Sequence, residues 1–105
     1  MINELKTGLD PRYIEQLLSI INRSMEGSHG TIMIFGSRAR GNPRPASDID
    51  LAIDTSETPD LLSGRLRENL ENSLIPFTVD IVDLGSCDPV LAAEIRREGR
   101  VIWNG

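Results

Sequence analysis

Three aspartates in this chain are spaced to act together. Asp48 and Asp50 stand two apart in DIDLAID, and alternate residues of an extended strand project to one face, roughly 6.5–7 Å apart along the backbone. Two carboxylates so placed raise each other's proton affinity unless something positive lies between them. A hard divalent cation resolves the conflict, because Mg2+ takes oxygen ligands and fills its shell with water and substrate phosphates. Asp80 lies between Val79 and Ile81 in TVDIVDL, where an apolar residue is the ordinary choice. If these two segments pair as neighbouring strands, Asp80 completes a cluster of three. Three such groups around Mg2+ can polarise a phosphoryl group and activate an oxygen in line with it. Asp54 has the same parity as Asp50 but sits at the strand's far end, and Asp83 faces away from Asp80, so neither is assigned to the cluster.

Ahead of Asp48 lies a segment suited to anions. Gly36 lets the backbone approach a phosphate closely, and the Ser37 hydroxyl and adjacent N–H groups can donate to its oxygens. Arg38, Arg40 and Arg44 follow, with no acid before Asp48. Across the chain 11 basic residues face 16 acidic ones, a formal net charge of −5. That balance argues against direct binding of nucleic acid, which needs a basic face. A local basic cluster beside an acidic one instead describes a bipolar site, acids for metal and arginines for a polyphosphate.

The rest of the composition narrows the class. One cysteine, Cys87, excludes an internal disulfide and a multi-Cys zinc site, and it reads as a small filler residue. His29, in a glycine-flanked turn, has no metal-ligand partner nearby and reads as a loop histidine. No apolar run approaches a membrane span, and MINELKTGLD lacks a signal-peptide layout. The expectation is a cytoplasmic protein without a membrane segment.

The elements that must hold these groups follow from punctuation and periodicity. A length of 105 residues suits one domain over 1–105. Asp10-Pro11, Thr58-Pro59 and Asp88-Pro89 each read as a capping side chain followed by proline at the first helical position. Ile14, Leu17, Leu18, Ile21 and Met25 form a one-sided stripe, ended by Gly27 and Gly30. Leu62, Leu66 and Leu70 make a second. A third helix starts at Pro89, buries Val90, Leu91 and Ile95, and stops at Gly99. Strands are predicted over TIMIF, DIDLAID, FTVDIVDL and RVIW. Strands interleaved with helices imply an α/β fold: a mixed four-stranded sheet with helices packed mainly on one face. Trp103 reads equally as core or as an anchor for a partner.

Gly36-Ser37, ten residues, then Asp48-Ile49-Asp50 resembles the signature of the DNA polymerase β-like nucleotidyltransferase superfamily. The wider FGSRARG…SDIDLAI is similar to its minimal nucleotidyltransferase branch, and the resemblance extends over nearly the whole chain. It implies that fold, with Gly36 and Ser37 on the triphosphate of ATP and Arg38 and Arg40 also binding nucleotide. It further implies that Asp48, Asp50 and Asp80 are catalytic Mg2+ ligands, Asp80 also helping to deprotonate the attacking hydroxyl. The branch includes antitoxins that transfer AMP from ATP to a tyrosine of a HEPN-domain toxin, so the resemblance implies a HEPN-type helical partner and a homo- or hetero-oligomer. Two alternatives stand beside this: a nucleotide-binding subunit that restrains its partner by contact, and a free-standing enzyme acting on a small-molecule hydroxyl. The second has little room for an acceptor pocket in 105 residues.

Overall fold

The computed structural model describes residues 7–41 and 48–105, so Arg44 lies outside the described residues. The elements run α1 (Pro11–Ser24), β1 (Thr31–Phe35), a single 3₁₀ turn (Gly36–Arg38), β2 (Ile49–Asp54), α2 (Pro59–Glu71), β3 (Val79–Asp83), α3 (Pro89–Glu98) and β4 (Arg100–Asn104). Two helix starts use the expected device. The Asp10 carboxylate accepts from the Arg12 amide at 2.8 Å, and Asp88 accepts from the Val90 amide at 2.7 Å. The start of α2 does not. Thr58 sits at φ 38°, in the left-handed region, and its side chain makes no capping bond. A residue before proline is disfavoured in the right-handed helical region, and only the Thr58 carbonyl is recruited, accepting from the Leu62 amide at 3.1 Å.

The sheet has the order β3-β2-β1-β4. Strand β1 pairs antiparallel with both β2 and β4, while β2 and β3 run parallel. A parallel pair needs a long crossover, and α2 is that connection. The β3 strand is shorter than FTVDIVDL, but its pairing with β2 carries on at both ends. The Ile49 amide donates to Thr78 at 2.9 Å, and the Leu84 amide donates to Ile53 at 3.0 Å.

Parity then sorts the side chains. Ile49, Leu51 and Ile53 point to one face, where with Ile32 and Ile34 they meet Leu17 and Ile21 of α1 and Leu62 and Leu66 of α2. All nine are buried. The opposite face carries Ala52 with half-buried Met33, Phe35 and Val82, and α3 covers it through Ile95, Leu91 and Ala92. Two helices therefore lie on one face and the third on the other. On the α3 face, the end of the sheet bearing Asp48 and Asp80 is exposed. No helix of the described residues is long and apolar enough to cross a membrane.

Candidate active site

Strand register brings the site together. In the parallel β2–β3 ladder Asp50 stands directly opposite Asp80, and in the antiparallel β1–β2 ladder Asp50 stands opposite Phe35. Paired residues of adjacent strands share a face, so Asp50 and Asp80 project to the same side. Asp48, two residues before Asp50, has the same parity and precedes β2. The order of strands thus sets the two carboxylate segments side by side, with the Gly36 turn next to them at the end of β1.

Gly36 is fitted to this place in two ways. Its φ of 77° lies in the left-handed region, which glycine enters without steric penalty. A Cβ built there would lie 2.5 Å from Asp50 Oδ2, so only hydrogen leaves room for that carboxylate. The following turn is tight, the amides of Ala39 and Arg40 both donating to the Gly36 carbonyl at 3.1 Å. Ser37 is half-buried within it.

Charge is concentrated at the same point. Asp50 is half-buried, whereas Asp48 and Asp80 are exposed. Burial raises the Asp50 pKa above the usual carboxylate range, and the negative charges of Asp80 and Asp48 push it further up. Arg38 and Arg40 oppose that rise. The surplus is negative, and every donor is a hard oxygen. That set fits a divalent cation whose remaining ligands are water and phosphate oxygens. Among the described residues no group of three or more His, Cys, Asp or Glu side chains is placed so that it could by itself hold a metal ion, so a cation here would depend on water and phosphate oxygens for the rest of its shell.

The arginines fare differently from one another. Arg38 is 1% exposed. Its guanidinium donates to the Thr7 carbonyl at 2.6 Å and lies 4.9 Å from the centroid of the Phe77 ring, which Tyr13 meets edge-on. Burial lowers its pKa while Asp48 and Asp50 raise it. Its charge therefore acts on the carboxylates from beneath, and it also ties residue 7 to the turn. Arg40 is exposed, and its guanidinium pairs with Glu98 of α3 at 3.1 Å. Spacing alone made the two look alike; the one-turn helix points one inward and the other outward.

The remaining singled-out residues take other roles. Asp83 accepts from the Gly85 amide and the Ser86 hydroxyl, both at 3.0 Å, and so shapes the turn after β3. Asp54 pairs with Arg96 at 3.3 Å. His29 sits in the loop before β1, its amide donating to Glu57 and its carbonyl accepting from the Thr55 hydroxyl, both at 2.7 Å. Cys87 is a half-buried free thiol, and Trp103 packs against the core. Sequence reasoning missed a cleft beside the site, where Leu91, Glu94, Ile95 and Glu98 of α3 face Phe35, Gly36 and Arg40. Its signal was present in the i, i+3, i+4, i+7 spacing of those four helical positions, two of which read simply as core.

Comparison with known proteins agrees with this fold. The family model described as polymerase beta, nucleotidyltransferase, matches residues 15–105. A protein adenylyltransferase MntA of Shewanella oneidensis is 34% identical over 73 residues, 69% of this chain and 52% of that protein. The protein adenylyltransferase MntA of Thermococcus cleftensis is 31% identical over 87 residues, 81% of this chain and 88% of its own length. The chain thus spans about half the length of the Shewanella relative and most of the Thermococcus one. A crystal structure of a toxin–antitoxin with AMP-PNP shares the fold at a TM-score of 0.62 and 27% identity, over 87% of this chain and 73% of that one.

Proposed function

The chain belongs to the polymerase beta nucleotidyltransferase family, and from that premise we propose that it transfers AMP from ATP to a hydroxyl, a tyrosine's, on a HEPN-type helical partner. It would act in this way as the antitoxin of a cytoplasmic pair. The observation that carries the reading is the Asp50–Asp80 register beside a glycine turn in which the Asp50 carboxylate fills the space a side chain would need. The similarity to MntA protein adenylyltransferases and to a toxin–antitoxin bound to AMP-PNP supports an adenylyl donor and a toxin as the partner.

In this reading the Gly36–Ser37 backbone and the Ser37 hydroxyl hold the polyphosphate, and Arg40 exchanges Glu98 for a phosphate oxygen. Arg38, buried below, lends its charge through space and keeps the turn in place. Asp48, Asp50 and Asp80 would hold Mg2+, which supplies charge neutralisation for the phosphates and lowers the barrier to in-line displacement. Asp80, exposed on the adjacent strand, takes the proton of the incoming hydroxyl. That oxygen bonds to the α-phosphorus, the bond from the α-phosphorus to the bridging oxygen breaks, and pyrophosphate leaves. Catalysis is mainly positioning and preorganised charge.

The test is to incubate the purified pair with ATP and Mg2+ and weigh the intact partner. A gain of AMP units that disappears in Asp50→Asn and Asp80→Ala supports transfer. Silencing of the partner with no mass gain supports restraint by contact instead.

A further inference from the structure

We propose that the free edge of β3, together with a cleft between it and α2, is the docking site for an extended segment of the partner protein. That segment adds to the sheet as a further strand and brings its hydroxyl to Asp80. The inference rests on the transfer reading above and names the surface that holds the partner.

Strand β3 closes one side of the sheet. The Ile49 amide donates to the Thr78 carbonyl, and the Leu84 amide to the Ile53 carbonyl. The amide and carbonyl of one strand residue point to the same side, and the side alternates along the strand. Residues 78, 80, 82 and 84 therefore turn theirs toward β2, while Val79, Ile81 and Asp83 turn theirs outward. The Asp83 carbonyl is taken by the Ser86 and Cys87 amides at 3.2 and 3.0 Å. Among the described residues nothing bonds to the outward groups of Val79 and Ile81. Such a row of open donors and acceptors is a template for another strand, and protein edges are ordinarily blunted by Lys, Pro or a bulge. The opposite edge obeys that rule. The register of β4 with β1 breaks between Ile32 and Met33. Strand β3 has no such break: its register with β2 runs without interruption from Val79 to Asp83.

A strand added here lies about 4.8 Å beyond β3, and its side chains project alternately to the two faces. On the α2 face a cleft opens beside Val79, with Leu70, Ile75 and Phe77 as its apolar part and Arg67 and Glu71 on the rim. It measures about 290 Å³, just under the roughly 300 Å³ at which pockets for whole small molecules begin, which is room for one large side chain. On the other face Asp80 is exposed. A segment that seats an apolar side chain opposite Val79, in the cleft, sets its next residue beside Asp80. Main-chain bonds then supply affinity, and the cleft supplies register and specificity.

Charge selects the occupant. Asp80 and Asp83 stand on β3, and Asp48 and Asp50 lie at the start of the neighbouring strand. A second copy joined edge to edge would set aspartates against aspartates, and like charges across a strand pair repel. A segment with Lys or Arg near its hydroxyl is attracted instead. The partner is thus a protein with a basic, extended segment in which an apolar residue adjoins the acceptor.

The experiment is amide hydrogen exchange on the full chain, alone and in complex with its purified partner, joined to calorimetric affinities for Ile81→Pro and Glu71→Trp. In the free chain the Val79 and Ile81 amides are expected to exchange fast and those of Asp80 and Val82 slowly. In the complex the first two should slow by about tenfold or more. Proline is tolerated where an edge N–H faces outward, so Ile81→Pro keeps the fold, as circular dichroism verifies, yet removes a bond to the partner. Glu71→Trp fills the cleft from an exposed position. Each should weaken partner binding by about tenfold or more, with Mg2+-ATP affinity within about twofold of wild type. Val79 and Ile81 amides that stay fast in the complex, or partner affinity unmoved by Glu71→Trp, overturns the docking edge even where AMP transfer is observed. Protection and both losses of affinity without any transfer uphold the edge and overturn the transfer reading alone. A partner that does not bind overturns both.

Discussion

Strand β2 gives Ile49, Leu51 and Ile53 to one face of the sheet and Asp50, Ala52 and Asp54 to the other. The first three are buried against two helices, in a cluster that is mainly aliphatic. The second set begins with a half-buried carboxylate whose pKa is pushed upward by burial and by two more acids, continues with a small residue under α3, and ends in a surface ion pair. Six consecutive residues thus serve two masters, and the pleat keeps them apart. The α1/α2 face supplies burial, worth about 25 cal/mol per Å² of apolar surface. The α3 face holds like charges together, which works against folding. The division between stability and chemistry runs through the plane of the sheet, not along the chain.

Substitutions on the two faces should therefore move different observables. The largest effect is expected for Asp50→Asn, which should lower AMP transfer by about a thousandfold or more while leaving the circular dichroism spectrum unchanged. Its thermal midpoint at neutral pH should be no lower than that of wild type, because a repelled carboxylate is gone. A large loss of stability would break the comparison, placing Asp50 among the residues that hold the fold. On the other face, Leu66→Ala should remove about 2–5 kcal/mol of stability in chemical denaturation, yet leave Mg2+-ATP affinity within about twofold at temperatures where the variant is folded.

Gly36→Ala probes the seam between the two. The new methyl requires a left-handed backbone, at a penalty of about 1–3 kcal/mol, and displaces the Asp50 carboxylate from a position 2.5 Å away. Both readouts should fall, transfer by roughly tenfold or more and stability by the smaller amount.

The pH response gives a subtler test. Asp50 has its pKa raised in the folded chain. Between the ordinary aspartate value and the raised one, the native state keeps a proton that the unfolded chain has released. Stability contributed by this group therefore falls as pH rises through that window. Wild type minus Asp50→Asn, measured by denaturant titration at several pH values, should show that decline; an increase with pH would contradict the assigned cause. The smallest effect is expected at the far end of the same face. Asp54→Asn breaks an exposed pair with Arg96 and should change stability by less than about 1 kcal/mol, with transfer unaltered.

Much of this arrangement is legible in the residues because it rests on period and punctuation. The alternation of DIDLAID separates Asp50 from Leu51 without knowledge of any neighbour, and Asp80 betrays itself as a charge between Val79 and Ile81. Parallel register then needs only the crossover through α2. What sequence does not disclose is long-range. Arg38 and Arg40 are two residues apart in one basic segment, and nothing local shows that Thr7 and Phe77 take up the first while Glu98 takes up the second. Thr58 has the right side chain for a cap, but with its backbone in the left-handed region that oxygen makes no capping bond. The stripe on α3 reads as core, but Val90 faces outward at 74% exposure, and only packing shows that Leu91 and Ile95 line a cleft.

The central claim is that carboxylates from β2 and β3 and the Gly36 turn converge on a single cation and nucleotide. Manganese is paramagnetic and substitutes for magnesium at oxygen sites, so the direct measurement is a nitrogen–proton correlation spectrum during Mn2+ titration with a non-hydrolysable ATP analogue. The amides of Gly36, Asp50 and Asp80 are expected to broaden together at the lowest metal concentrations. Broadening at Asp48 and Asp50 that spares Asp80, or broadening no stronger there than at the surface acid Asp60, would contradict a shared centre.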